Sequence, residues 1–183
     1  MNMKNGNLLV STHHVIGDPN FHRTVVLLAK SEKKGSIGFI LNKKLQYNLD
    51  EVLNNIDIKF PLYYGGPVEP DNLFYVHNMG KEISGSILIK DSLFWNGNFN
   101  IIIDHIKKGK IKNNNIRFFL GYSGWEKTQL EQEFNQKSWE LFDFNPTSDI
   151  FKSNPSNMWK KCLNTIGGDY LVWSNSPDNP QMN

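Results

Sequence analysis

Apolar residues recur along this chain in two rhythms, short runs and alternations on one hand and stretches spaced near 3.6 residues on the other. Asn-Leu-Leu-Val-Ser at 7–11 reads as a strand, and 24–30 and 36–42 read as two more around the polar turn 31–35, a hairpin signal. The run Val25-Val26-Leu27-Leu28-Ala29 is apolar on both faces, which suits a central strand covered on each side. Asn48 then opens a helix with Leu49, Val52, Leu53 and Ile56 on one face, and Pro61 ends it. Residues 62–64 and 72–77 read as strands flanking Gly65-Gly66-Pro67, where glycine permits positive φ or the close approach of another group.

After a strand at 85–90, the helical spacing returns at Phe99, Ile102, Ile103 and Ile106, closed by Lys107, Lys108 and Gly109. Residues 116–120 form a strand running into Gly121-Tyr-Ser-Gly-Trp125. Ser123 and Glu126 match a capping box, which predicts a helix over about 124–136 that buries Trp125, Leu130 and Phe134. A strand at 138–144 follows, then a helix from Pro155 with Trp159, Cys162, Leu163 and Ile166 on one face, stopped by Gly167-Gly168. Tyr170 to Trp173 is a short apolar element, and a loose polar tail is expected from about 174. Strands and helices are interspersed without βαβ alternation, repeat or linker, so residues 1–183 are expected to make one α+β domain.

Composition narrows the classes. The chain has 183 residues, 13% of them aromatic, which is too rich for disorder, while its longest strictly apolar run is five residues, too short to span a membrane. The start of the chain is too polar for a signal peptide, and a single Cys162 allows neither an intrachain disulfide nor a cysteine metal cage. A reduced, cytoplasmic protein without cofactor is expected. A net charge of +2 gives no reason to invoke nucleic acid or acidic lipid. Asn occurs 24 times, and Lys outnumbers Arg 18 to 2, the mark of an AT-rich genome. Under such drift Arg23 and Arg117 read as positions that need a planar guanidinium.

Candidate chemistry is sparse. His13, His14, Asp18 and His22 cluster before the second strand, but at no recognised metal spacing, and a solvated loop is the simpler reading. Ser123 lacks the glycine two positions on that a nucleophile elbow requires, so it reads as a helix N-cap, with an anion at that helix start as an alternative. No phosphate loop or dinucleotide fingerprint occurs, and Lys107, Lys108, Lys110 and Lys112 lack interleaved aromatics. Cys162 reads as core.

Six ordered motifs give the chain a resemblance. Gly6-x-Leu-Leu, Asp18-Pro-x-Phe21-x-Arg23, Gly35-x-x-Gly38-x-x-x-Asn42, Gly65-Gly66-Pro67-Val68, His77, and Gly121-Tyr-Ser-Gly-Trp125-x-x-x-Gln129 together resemble the AlgH/YqgE family of bacterial proteins. The resemblance runs from about Gly6 to Ile166. It implies an α+β fold of curled, branched, mixed β-sheets with helices packed around them. The family carries a transcriptional-regulator label and no established enzymatic activity. The chain departs from the family pattern near His13, where Pro is usual, at Lys43-Lys44, where Arg-Pro is usual, and at Asn96 and Thr128, where Gly is common.

The leading expectation is a non-enzymatic binding or regulatory protein whose surface gathers Asp18, Arg23, Asn42, Gly65, Gly66, Pro67, His77, Ser123 and Trp125, and whose partner is a protein or a small anionic ligand. Each motif joins backbone-shaping Gly or Pro to a polar group at a strand end. The same residues could instead lock the sheet, with the arginines paired to buried carboxylates. Arg23 is expected near the Gly65-Gly66 turn, and Gly66, Ser123 and His77 at one concave site. The rival readings are a hydrolase using His77 with Asp18, and a DNA-binding regulator, although no helix-turn-helix is legible.

Overall fold

The hairpin that the alternation predicts forms the centre of the structure. The structure, a computed structural model, describes residues 3–15, 18–32, 34–53, 58–126, 128–142 and 150–176. Strand β1 (Leu8–Ser11) lies antiparallel to β2 (Val25–Glu32), which pairs in turn with β3 (Gly35–Ile40). Val25 to Ala29 are all buried, and their alternating side chains enter two different apolar clusters, so β2 is covered on both faces.

The strand that organises the rest is β9 (Ile116–Glu126), eleven residues long. Along one edge it pairs antiparallel with β6 (Val68–His77), from Val68 opposite Tyr122 to His77 opposite Ile116. Its other edge is shared. The first part runs parallel to β5 (Pro61–Tyr64), with Tyr64 opposite Leu120, and the last part pairs antiparallel with β3, with Gly38 opposite Ser123. The sheet therefore forks at β9. One branch continues β9-β3-β2-β1-β10, with β10 spanning Trp139–Phe142, and the other carries β4 (Lys44–Asn48) on β5. Beyond β6 lie β8 (Leu93–Trp95) and β7 (Ile87–Lys90).

Helices cover the sheet where the spacing predicts them. Helix α2 (Phe99–Lys107) is capped by the Asn98 side chain, which accepts from the amides of Asn100 and Ile101, and Gly109 follows it at positive φ. Helix α4 (Pro155–Ile166) begins on proline behind the Asn154 cap and buries Met158, Trp159, Cys162 and Leu163. The Trp159 indole N–H donates to Ser11 O at 2.8 Å, tying this helix to β1. Burial pushes the Cys162 thiol up to about 11, as befits a core cysteine. The arrangement is an α+β fold built on one branched sheet.

Two predicted elements differ. The helix after Asn48 is short, α1 being Leu49–Val52, and Ile56 lies outside the described residues. The helix expected from 124 starts only at Gln129 (α3, Gln129–Asn135), because the backbone through Ser123 to Glu126 is held in β9 by β3. The polar tail expected from about 174 lies almost wholly outside the described residues. Helix α5 (Tyr170–Asn175) packs on α4, and the Ser174 hydroxyl donates to Asn164 Oδ1 at 2.6 Å; residues 177–183 lie outside the described set. Among the described residues no helix is long and apolar enough to cross a membrane.

Candidate functional site

The fork accounts for Gly65, Gly66 and Ser123 together. Where β5 ends, the Gly65 amide donates to Leu120 O at 2.8 Å, while the Gly65 carbonyl accepts from Ile40 N and from the Ser123 hydroxyl, both at 3.0 Å. Ser123 is fully buried, in the middle of β9, and supplies a donor at the point where two branches leave one strand. It caps no helix, so the predicted N-cap is corrected, and with it goes the anion site at a helix start. The backbones here touch. A Cβ on Gly65 would stand 2.1 Å from Gly121 O, and one on Gly66, at φ +150°, 2.3 Å from the Tyr122 carbonyl carbon. Pro67 follows as an exposed residue at the surface of the turn.

A second set of motif residues fastens the loop before β2. Asn42 accepts from Val25 N and donates to Arg23 O, each at 2.8 Å, replacing a stretch of strand pairing with one side chain. Asp18 Oδ1 accepts from Asn20 N, while the Lys43 ammonium donates to the carbonyls of Pro19 and Asn20 at 2.7 and 2.9 Å. Burial lowers the Lys43 pKa, with Asp18 opposing. Tyr64 OH donates to Asn20 Oδ1 at 2.8 Å, so this loop adjoins the fork.

Arg23 itself, at φ +52°, has guanidinium contacts on α4 and at the end of α5 rather than on the Gly65-Gly66 turn where it was expected. Its guanidinium donates to Ser176 O at 2.8 Å and lies 5.0 Å from the Trp159 ring centroid. The other arginine behaves alike. Buried Arg117 donates to Leu41 O at 2.8 Å and lies 4.4 Å from the Tyr63 ring centroid, with no carboxylate partner among the described residues. Both therefore use the flat face of a guanidinium, which lysine lacks, and for Arg117 this stands in place of the buried carboxylate pair weighed from the sequence.

His77 is a satisfied core histidine. Its ring is fully buried and stacked on Phe94; Nδ1 accepts from Met79 N at 3.3 Å, and Nε2 lies 3.0 Å from Asn96 O and 3.1 Å from Ser86 Oγ. These partners select the neutral tautomer protonated on Nε2. Burial also lowers its pKa. Asn96, at φ +54°, holds a left-handed conformation that Gly and Asn tolerate best. Asp18 is not among the partners of His77, so the pair named for a hydrolase is not assembled. Nor does His77 reach Ser123: it pairs with Ile116, seven residues along β9, a span of about 23 Å. The single concave site expected for Gly66, Ser123 and His77 is thus divided.

Trp125 is buried against Phe21 and Trp139, and a residue the sequence reading overlooked holds it. Glu133 Oε2 accepts from the indole N–H groups of both Trp125 and Trp139, at 2.9 and 2.7 Å, while Gln129 donates to Oε1. The available signal was the i, i+4 spacing of Gln129 and Glu133 between two tryptophans, Trp125 and Trp139.

Two concavities lie open among the described residues. A groove of about 710 Å³ runs over the ends of β2, β3 and β9, with Ile37, Val68 and Tyr122 as its apolar floor, Gly35 and Gly124 admitting depth, and Lys30, Glu32, Lys34 and Glu126 around it. Of the nine candidate residues it touches only Trp125. A smaller pocket of about 290 Å³ lies at the α4–α5 turn beside His13 and His14. Among the described residues no group of three or more His, Cys, Asp or Glu side chains gathers to hold a metal ion.

Comparison with known proteins places this geometry. The pattern described as AlgH-like matches residues 8–171. The chain belongs to the AlgH-like family. A UPF0301 protein of Cytophaga hutchinsonii is 41% identical over 180 residues, covering 97% of this chain and 98% of that one. A UPF0301 protein of Chlorobaculum tepidum is 39% identical, covering 99% and 96%. Among solved structures, the AlgH protein of Pseudomonas aeruginosa superposes with a TM-score of 0.73 at 25% identity, covering 97% of this chain and 98% of its own. A Corynebacterium diphtheriae protein gives 0.77 at 18% identity, covering 96% and 94%, which shows the shared AlgH-like fold.

Proposed function

We propose that this AlgH-like protein is a single-domain, cytoplasmic, non-enzymatic binding or regulatory protein, and that it engages a protein partner through the groove over β3 and β9. The observation that carries the reading is a division of labour within the motifs. Their polar side chains, Asn42, His77 and Ser123, are spent on internal hydrogen bonds, whereas Gly35–Ile37 and, around the inward-facing Ser123, Tyr122, Gly124, Trp125 and Glu126 line the open groove. A wide concavity with an apolar floor and charges of both signs at its rim has the anatomy of a protein-binding surface rather than of a site that encloses a small substrate. The saturated ring of His77 supports the absence of catalysis by that residue.

The experiment is site-specific photo-crosslinking in cells, with the reactive group at Lys34 on the rim and, as a control, at Lys112. The expected result is a discrete adduct at Lys34 alone, abolished by Gly124→Leu. Gly124 is suited to this because a Cβ there meets nothing nearer than the Tyr122 ring at 3.3 Å. The same adducts at both positions, or adducts indifferent to Gly124→Leu in a variant of unchanged thermal midpoint, would refute the groove as the contact surface.

A further inference from the structure

The hydrogen-bond phase of β9 identifies a stretch of strand edge that the fold leaves open. Ile40 N donates to Gly65 O across the edge of β3 that faces β9 and β5, so with a period of two Gly38 and Ser36 also turn their amides and carbonyls to that side. They pair with Ser123 and Trp125, which therefore turn toward β3. Tyr122, Gly124 and Glu126 turn the other way. On that side β6 runs beside β9 only as far as Val68, opposite Tyr122, and among the described residues no strand takes its place beside Gly124 and Glu126. The Glu126 amide is met by Gln129 Oε1 at 3.2 Å. Half-buried Gly124 is left with a donor and an acceptor facing outward and no strand to receive them.

The groove meets this edge. Val68, Tyr122, Gly124, Glu126 and Gln129 all line it, and a Cβ on Gly124 would stand 3.3 Å from the Tyr122 ring and 3.4 Å from Val68 Cγ2. Those two side chains therefore flank a place that has no side chain of its own. In sheets, a bare glycine is covered by a large side chain from the residue opposite it on the neighbouring strand. An outward donor and acceptor on an extended backbone call for a second extended backbone, and the gap between Val68 and Tyr122 calls for a large apolar side chain carried on it. A helix, whose backbone groups are already paired along its own axis, would satisfy only the second demand.

We propose that the groove takes an extended segment of a partner protein, which adds to β9 as a short antiparallel strand in line with β6 and sets an aromatic or branched apolar residue opposite Gly124. The proposal rests on the groove being the contact surface and adds the form of what binds there. Antiparallel is the sense in which β6 already holds this edge. The residue opposite Gly124 exchanges both backbone hydrogen bonds with it, and its side chain lies over the glycine between Val68 and Tyr122. The open stretch is short, and Gln129 already holds the Glu126 amide, so the backbone bonds fix register while the side chain over Gly124 supplies the specificity.

The test selects binders to the full chain from a displayed library of random peptides and carries the tightest, made synthetically, into NMR on the isotopically labelled protein. The selected sequences are expected to share one aromatic or branched apolar position, and the bound peptide to slow exchange of the Gly124 amide about tenfold or more. N-methylation of that shared residue removes the N–H that Gly124 O accepts and should weaken binding about tenfold, whereas methylation of either neighbour, whose N–H points away from β9, should change it less than about twofold. Unchanged Gly124 exchange under saturating peptide, an equal loss on methylation at every position, or no peptide recovered from the library would each overturn strand addition. A peptide that leaves Gly124 exchange unchanged yet blocks the Lys34 adduct would sink strand addition alone and leave the groove standing as the contact surface, whereas absence of that adduct refutes the groove.

Discussion

Gly65-Gly66 and Gly167-Gly168 are the same dipeptide in opposite surroundings. At the first, three lengths of backbone meet so closely that an added Cβ would stand 2.1 Å from a carbonyl oxygen; at the second, an added Cβ would meet nothing within 4 Å, although both residues have positive φ. The first pair is there because chains must touch, the second because a helix must stop. The polar groups follow the same division. At the fork the Gly65 carbonyl takes two donors, whereas at the α4–α5 turn the His13 Nδ1 takes none. Gly65, Gly66 and Ser123 therefore mark where the sheet branches, and the polar groups of Gly65 and Ser123 are used up there.

The largest expected effect divides the two glycine pairs. Gly65→Ala should cost about 4 kcal/mol or prevent folding, because the backbone it strikes is itself paired. Gly168→Ala should cost about 1 kcal/mol, the penalty of a left-handed alanine alone. Denaturant unfolding of both variants checks this, and equal losses would erase the distinction.

Ser123 sharpens the fork next. Ser123→Asp should cost about 3 kcal/mol or more, since a buried carboxylate would face the Gly65 carbonyl, while Ser123→Ala should cost about 1 kcal/mol because Ile40 N still serves that oxygen. A helix N-cap would tolerate aspartate, so a stable Ser123→Asp protein would return the residue to that role. Arg117→Lys keeps the charge but loses the flat contact with Tyr63 and is expected to cost about 2 kcal/mol in the same assay. An unchanged denaturation midpoint would show that the planar stack contributes nothing.

The smallest effect is a slope with pH. Burial lowers the pKa of His77 below the ordinary 6.5, so as pH falls the unfolded chain takes up its proton first. The stability linked to His77 is complete above about 6.5 and is lost as pH drops from there through the folded value. His77→Gln should therefore narrow the difference in urea midpoint between about pH 7.5 and about pH 5.5. His13 adds a loss of the same sign, so some slope is expected to remain.

The parts of the fold that could be read in the sequence are those fixed by local pattern. The run 25–29, the spacing of α2, and the Pro155 start and Gly167 stop of α4 each carry their own signal, and each forms as its pattern predicts. What could not be read is pairing at a distance. Ser-x-x-Glu at 123–126 has a helix-start signature, yet four residues of β3 hold that segment extended, and tertiary hydrogen bonds override the local preference. Strand β4 is half exposed at the rim of its branch and shows no buried alternation, while β8 has only three residues. For the candidate site, glycine content pointed to close approach without saying that the approaching group is the chain's own backbone. The arginines carried a signal in their scarcity, but aromatic rings distant in sequence, Trp159 and Tyr63, are what receive them.

The fork at β9 also sets an order of assembly. Its three partners, β3, β5 and β6, all precede it, the last ending at His77, while β9 ends only at Glu126. During synthesis at roughly 5 to 20 residues per second, those earlier strands leave the ribosome before the strand that joins them exists. For that interval β3 has β2 on one edge and nothing on the edge meant for β9, and the Gly65 carbonyl waits for its serine. An unpaired strand edge invites association with other chains, so the nascent protein is most vulnerable to aggregation between the emergence of residue 77 and that of residue 126. A chaperone that covers strand edges would matter to this protein during that window and much less once β9 is in place.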